Sequence, residues 1–471
     1  MELDMTKGSP FRLILKFILP VVLGNLFQQL YNMVDTIIVG KFVGLEALAA
    51  VGATGTISFL IIGFANGLAA GFSVIVAQKY GAGDKEGVKL ATFNALVLTV
   101  CLTAVITVIS ALGMKWLLTV MNTPENVFQM SYDYIIIITL GLFFTMLYNV
   151  CAGLLRSVGD SKTPLYFLIV SASLNVILDL VLIIIFKLGV RGAALATIIS
   201  QGVSGALCLV YIFKRVKMIV PERRHMHMDS QIAGNQLRVG VPMALQYSIT
   251  AIGTIMIQSA LNMFGSTIMA SYTASNKVCQ FITLPYSALG VTMATYCAQN
   301  RGINDIDRIK KGVRVANYIS AVYSVVIFLV SIPVFPAFLS LFVDSGSDFN
   351  EVLGYAKTYY YMAGTCFIPL GMIFIWRNAM QGCGFSFSAM MGGIVELTCR
   401  GIIAKVASAK MSFAGVCAGD PLTWFITAMF FLVAYHITCV NMSRNKQNYI
   451  AKKEASDEPK RDGTISGKSE Q

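Results

Sequence analysis

The sequence predicts an all-α polytopic membrane protein, with twelve transmembrane helices in two six-helix bundles related by a pseudo-two-fold axis along the membrane normal. Three observations predict it. Apolar residues make up 56% of the 471 residues and charged residues only 13%, about half the charge content of a soluble chain. Twelve apolar runs follow one another with short polar connections, each long enough for the roughly 20 residues that cross a bilayer. The motif that ends the second run recurs at the end of the eighth. A soluble enzyme, a disordered chain and a disulfide scaffold do not fit this composition.

Span 1 covers about 11–39. It is too long for a cleaved signal, holds Asn25, Gln28, Gln29 and Asp35, and lacks a small-x-small cleavage site, so it reads as retained. Pro20 removes one of its backbone hydrogen bonds and predicts a kink or hinge. Span 2 (46–77) contains AAVGATG (49–55) and GFANGLAAG (63–71), small-residue stretches that allow close helix packing. They are not phosphate loops, because no G-x-x-x-x-G-K-[ST] pattern occurs. Spans 3 (90–113), 4 (127–154), 5 (164–186) and 6 (192–213) complete a first bundle over residues 1–213. Residues 214–236, with Lys214, Arg215, Lys217, Arg223, Arg224, His225 and His227, read as a solvated cytoplasmic linker. Spans 7 (237–262), 8 (267–298), 9 (313–338), 10 (353–380), 11 (386–406) and 12 (415–440) form a second bundle over residues 237–440. The Lys-, Glu- and Ser-rich tail, 441–471, reads as disordered.

The two bundles look duplicated. AQKYGAGD (77–84) matches AQNRGIND (298–305) at an offset of 221, and the same offset takes Gly44 to Gly265, Ala49 to Ala270 and Ala53 to Ala274. Pro20 and Pro242 correspond at 222, and LLRSVGDS (154–161) echoes AMQGCGFS (379–386). Six spans per copy is an even number, so both copies share one orientation, as in parallel-repeat transporters with a cavity between the halves.

Charge orients the chain. Of the 36 Lys and Arg, 26 fall on the side of the termini and the even-numbered loops, and 7 in the odd-numbered loops. This bias puts both termini in the cytoplasm. It also accounts for the net charge of +12 without a nucleic-acid partner. The ten Cys include no C-x-x-C pair and read as small buried side chains.

Ionisable groups inside hydrocarbon are functional candidates. The acids within spans are Asp35, Asp179, Glu396 and Asp420. Gln28, Tyr31, Asn32 and Asp35 fall at i, i+3, i+4 and i+7, one helical stripe. Ser171, Asn175 and Asp179 make a second stripe on span 5, and Thr197, Gln201 and Ser204 a third on span 6. Two carboxylates with amide and hydroxyl oxygens suit a proton or Na⁺; interhelical hydrogen bonding is the plain structural alternative. Spans 7 and 10 hold no interior acid. Glu396 and Arg400, at i and i+4, read as self-neutralising, and Asp420 before Pro421 as a helix cap. The basic residues placed in spans are Lys277, Arg377 and Arg400. A flippase for lipids or lipid-linked oligosaccharides would need more of them to match a pyrophosphate. An intramembrane enzyme using Asp35 and Asp179 as an acid–base pair fits the amide-rich stripes less well than ion binding does.

These residues resemble the multidrug and toxic compound extrusion (MATE) family, in its DinF-like bacterial branch. The resemblance covers about residues 10–440 and is carried by PVVLGNLFQQLYNMVDTIIVG (20–40), LAAVGATG (48–55), AQKYGAGD, LLRSVGDSKTP (154–164), SLNVILD (173–179), ASYTASNKV (270–278) and AQNRG (298–302). It implies a monomeric, non-enzymatic transporter of the cytoplasmic membrane that needs no cofactor beyond its coupling ion. Such a protein exports organic, often cationic, amphipathic compounds in exchange for H⁺ or Na⁺. The family's cation site maps onto Asp35, Asn175, Asp179 and Thr197; beside it, Gln28, Tyr31, Asn32, Asn149 and Gln201 are this chain's candidate supporting polar or cavity residues. NorM-type members carry further acids on spans 7 and 10. This chain lacks them, which leaves the first half as the coupling element.

Overall fold

The computed structural model describes residues 3–342 and 349–457. Its helices are α1 (Pro10–Phe42), α2 (Leu45–Gly81), α3 (Lys85–Val120), α4 (Glu125–Leu140), α5 (Leu142–Ser157), α6 (Lys162–Leu180) and α7 (Val190–Arg215) in the first half. In the second they are α8 (Ser230–Leu261), α9 (Ser266–Gly302), α10 (Ile306–Leu339), α11 (Phe349–Gly364), α12 (Phe367–Gly382), α13 (Ser386–Ala409), α14 (Phe413–Cys417) and α15 (Gly419–Asp457). Among the described residues, ten helices are long and apolar enough to cross a membrane. Two bent pairs, α4–α5 at 46° and α11–α12 at 50°, bring the number of spans to twelve. These are spans 4 and 10, equivalent in the duplication, and the sequence reading had given each as one straight run. Gly141 separates the first pair and residues 365–366 the second.

The duplication reaches the backbone. Gly44 and Gly265 begin equivalent helices with φ of 120° and 86°, and Gly159 and Gly384 follow α5 and α12 with φ of 87° and 89°. Asp84 accepts from Gly87 N at 2.8 Å and Asp305 from Arg308 N at 2.9 Å, so the same carboxylate caps α3 and α10.

The repeated A-Q-x-x-G motif fastens the two halves at the end that carries the N-terminus and the middle connection. Gln78 Nε2 donates to the Gly382 carbonyl at 2.8 Å, and its mate Gln299 donates to the Ser157 carbonyl at 2.9 Å. The motif's glycines make this approach possible. A Cβ on Gly81 would lie 2.0 Å from the Gln299 oxygen, and one on Gly302 would lie 2.1 Å from the Gln78 oxygen. Gln299 also accepts from Met5 N at 2.8 Å.

The apolar cores do not divide where the chain does. Met5, Ile14, Phe17 and Val21 belong to the core of the second half. Ile232, Val239, Met243 and Ala244 of α8 belong to that of the first. The exchange follows from small residues: a Cβ on Gly71 of α2 would fall 2.2 Å from Gly240 Cα of α8, so these helices touch backbone to backbone.

Two boundaries differ from expectation, and one helix continues through its proline. Helices run into the 214–236 linker from both sides, leaving 216–229 as the connection. That connection is exposed along much of its length and docked at particular points. His225 is 4% exposed and its Nε2 lies 2.7 Å from Glu86 Oε2 of α3, while Lys89 pairs with Glu222. Within the tail expected to be disordered, 441–457 continue α15; residues 458–471 lie outside the described residues. Finally, α1 runs unbroken through Pro20.

Candidate transport site

Two ionisable clusters lie within the spans. The first is built on α1, α6 and α7, which pack side by side. Asp35 is 8% exposed, Asn175 2% and Asp179 0%, and the two carboxyl groups face each other. Both oxygens of Asp179, Oδ1 of Asp35 and both polar atoms of Asn175 are buried without a hydrogen-bond partner, as are Ser200 Oγ and Gln201 Oε1. Seven orphaned atoms in one bundle go against the rule that buried polar groups are paired. They form an oxygen-rich set that a proton, a hard cation or water would satisfy. Immediately after Asp179 the chain makes a π-helical turn, Val181–Ile185, a feature frequent at functional sites.

The other expected residues are placed unevenly. Thr197 is partly buried on α7, one turn before Gln201. Gln201 Nε2 donates to Tyr31 Oη at 3.5 Å. Gln28 reaches Tyr31 from the exposed side of α1, and Asn32 is exposed. Asn149 is not part of this cluster: it donates to Asn66 Oδ1 at 2.7 Å and ties α5 to α2. Tyr134 of α4 stands within electrostatic reach of both carboxyls. Spacing does not single it out, since Tyr134 lies on span 4, outside the three polar stripes. Among the described residues no group of three or more His, Cys, Asp or Glu is placed to hold a metal.

The second cluster lies in the other half. Arg400 Nη2 contacts Glu396 Oε1 at 3.0 Å and Asp420 Oδ1 at 3.1 Å. Asp420 Oδ2 accepts from Tyr272 at 3.1 Å and Tyr359 at 3.0 Å. The intrahelical pair is therefore half of a three-charge network. Asp420 lies inside the first turn of α15, and its oxygens join that helix to α9, α11 and α13 rather than capping it.

A cavity of about 600 Å³ lies between the halves, lined from α2 and α5 on one side and from α8, α9, α11, α12, α13 and α15 on the other. Asp35, Asn175, Asp179 and Thr197 do not line it. Glu396, Arg400 and Asp420 do, together with Lys277, Arg377 and Arg156. The orientation count had assigned Arg156 to a loop; it occupies the last turn of α5 and faces this cavity.

Comparison with known proteins agrees with this architecture. The MatE family model matches residues 20–181 and 240–404, one copy per half. A relative from Bacillus subtilis, the probable multidrug resistance protein YoeA, is 33% identical over 72% of this chain and 74% of its own. An outward-facing multidrug resistance MATE family transporter superposes with a TM-score of 0.87 at 22% identity, covering 93% of this chain and 98% of that one. A MOP superfamily transporter from Pyrococcus furiosus, described as having a binding pocket of reversed polarity, matches with the same score, identity and coverage. Two duplicated bundles, a cavity between them and a family match in each half make the conclusion plain: the chain belongs to the MatE family of membrane transporters.

Proposed function

We propose that this chain is a secondary active exporter of the cell membrane, with both termini in the cytoplasm. It acts as a monomer and moves small amphipathic organic compounds outward in exchange for H⁺ or Na⁺ by alternating access. The observation that carries the proposal is the facing pair Asp35 and Asp179 with its orphaned oxygens, beside the orphaned side-chain amide of Asn175. Thr197 completes the set from α7. A proton or Na⁺ entering there satisfies groups that nothing else satisfies, and it changes the charge on α1, the helix that carries Pro20 and borders both halves. Each ion entering down the membrane potential supplies roughly 2.3 kcal/mol per 100 mV. The relatives' multidrug names support organic cargo. The resemblance points to cations among them, whereas the central cavity carries more basic than acidic groups.

The test is dye efflux from proteoliposomes under separately imposed pH and Na⁺ gradients. One of the two gradients should drive it. Efflux that responds to neither removes the antiport reading.

A further inference from the structure

The central cavity holds a charge excess that the acidic pair, buried elsewhere, does not explain. Four basic side chains line it against two acidic ones. Arg400 is already held between Glu396 and Asp420. Among the described residues no carboxylate lies within 4.0 Å of Arg156, Lys277 or Arg377. Glu396, the carboxylate in electrostatic reach of Arg377, is already held by Arg400, and the hydrogen-bond partner of Arg377 is neutral: the Gln246 amide, in the orientation that satisfies both groups, accepts from Nε at 3.1 Å and Nη1 at 3.0 Å. The Phe374 ring lies 4.7 Å from the guanidinium carbon. Arg156 is partly buried and makes no ion pair among the described residues. Tyr247 of α8 stands close to both arginines.

Withdrawing a guanidinium from water without a counter-charge in contact with it is costly. Two such groups in one cavity wall are relieved by an anion that enters it, and arginine's planar fork suits carboxylate and phosphate oxygens. The rest of the wall offers Phe59, Val74, Leu370 and Trp424, which suit an apolar body.

We infer that the cavity binds an amphipathic organic anion, its carboxylate, sulfonate or phosphate head taken by Arg156 and Arg377 and its apolar body by these side chains. One arginine comes from each half, so the cargo contacts both parts that must move. The inference rests on the exporter reading above and names the charge of its cargo.

The test is equilibrium binding to the purified full-length protein in detergent, read by fluorescence polarisation of carboxyfluorescein and of ethidium. Carboxyfluorescein is expected to bind more tightly. Arg156→Gln and Arg377→Gln should each weaken it about tenfold, the worth of one charge-assisted hydrogen bond, while ethidium binding stays unchanged or strengthens. Arg377→Lys should recover part of the loss. Unchanged melting temperatures check that the variants fold. Lysophosphatidate added as competitor distinguishes the sources of the anion: displacement of the dye assigns the head to a lipid, and no displacement assigns it to a soluble compound. Ethidium binding as tight as carboxyfluorescein, or equal weakening of both dyes in the glutamine variants, overturns the inference. Arginine-dependent binding of an anion that the protein then fails to move across vesicles would overturn the exporter reading and leave the charge preference standing.

Discussion

In the first half, Asp35 and Asp179 face each other with most of their oxygens unpartnered. In the second, Arg400 pairs with both Glu396 and Asp420, and Tyr272 and Tyr359 donate to Asp420; Arg400 Nε is buried without a partner among the described residues. The scaffold is the same, but its two copies treat buried charge in opposite ways. An unsatisfied cluster gains from an arriving ligand, so its state depends on what is bound. A satisfied network gains nothing of the kind and instead fixes the helices that contribute to it. On the exporter reading the first half is the one that responds to an ion, and the second half holds its buried charges in a paired network beside the central cavity.

Mutations should separate the two. The largest effect on activity is expected from Asp35→Asn or Asp179→Asn. Gradient-driven dye efflux should fall to the level of empty vesicles, with a melting temperature close to that of the parent protein, because no partner is stranded. Retained efflux in both variants would end the contrast. The largest effect on stability is expected from Arg400→Met, which leaves two buried carboxylates facing each other. Removing one partner of a buried network costs about 3–5 kcal/mol, and thermal melting in detergent should show it. Adding Glu396→Gln and Asp420→Asn should recover much of the loss, which a simple packing defect would not allow.

The clamp offers a smaller effect. Gln78→Ala and Gln299→Ala each remove a hydrogen bond between the halves, worth about 1 kcal/mol. Gln299 also holds Met5 N, so its variant should melt lower than that of its symmetry mate. Equal melting of the two would show that the Met5 bond contributes nothing.

What the sequence revealed follows from the kind of signal each feature leaves. Twelve spans and the duplication are written in hydropathy and in repeated Gly, Gln and Asp, because a bilayer demands apolar length and a turn demands particular residues. Asp35, Asn175 and Asp179 could be read because a helix converts spacing into a shared face. The bends at Gly141 and at 365–366 could not, since bending leaves composition unchanged. Arg156 was misplaced because a charge at the end of an apolar run looks the same whether it meets water in a loop or in a cavity. Asp420 was read locally, next to Pro421, although its partners are 20 to 148 residues away. Periodicity finds which residues share a helix face; it does not find which face of another helix lies opposite.

The helix caps give the smallest test and a control on the whole comparison. Asp84 and Asp305 are symmetry mates that cap α3 and α10 by the same bond, and neither touches the ionisable clusters. If the two halves differ only where their buried charges differ, Asp84→Ala and Asp305→Ala should each cost about 1 kcal/mol and leave efflux intact. Asp84 also pairs with Lys79 at 2.9 Å, but both side chains are about 39% exposed, and an exposed pair of this kind contributes only about 0–1 kcal/mol. The two variants should therefore melt within a few degrees of each other. A much larger loss for one of them would mean that the halves differ in stability throughout, and that the contrast between Asp179 and Arg400 reports this background rather than the chemistry of either cluster.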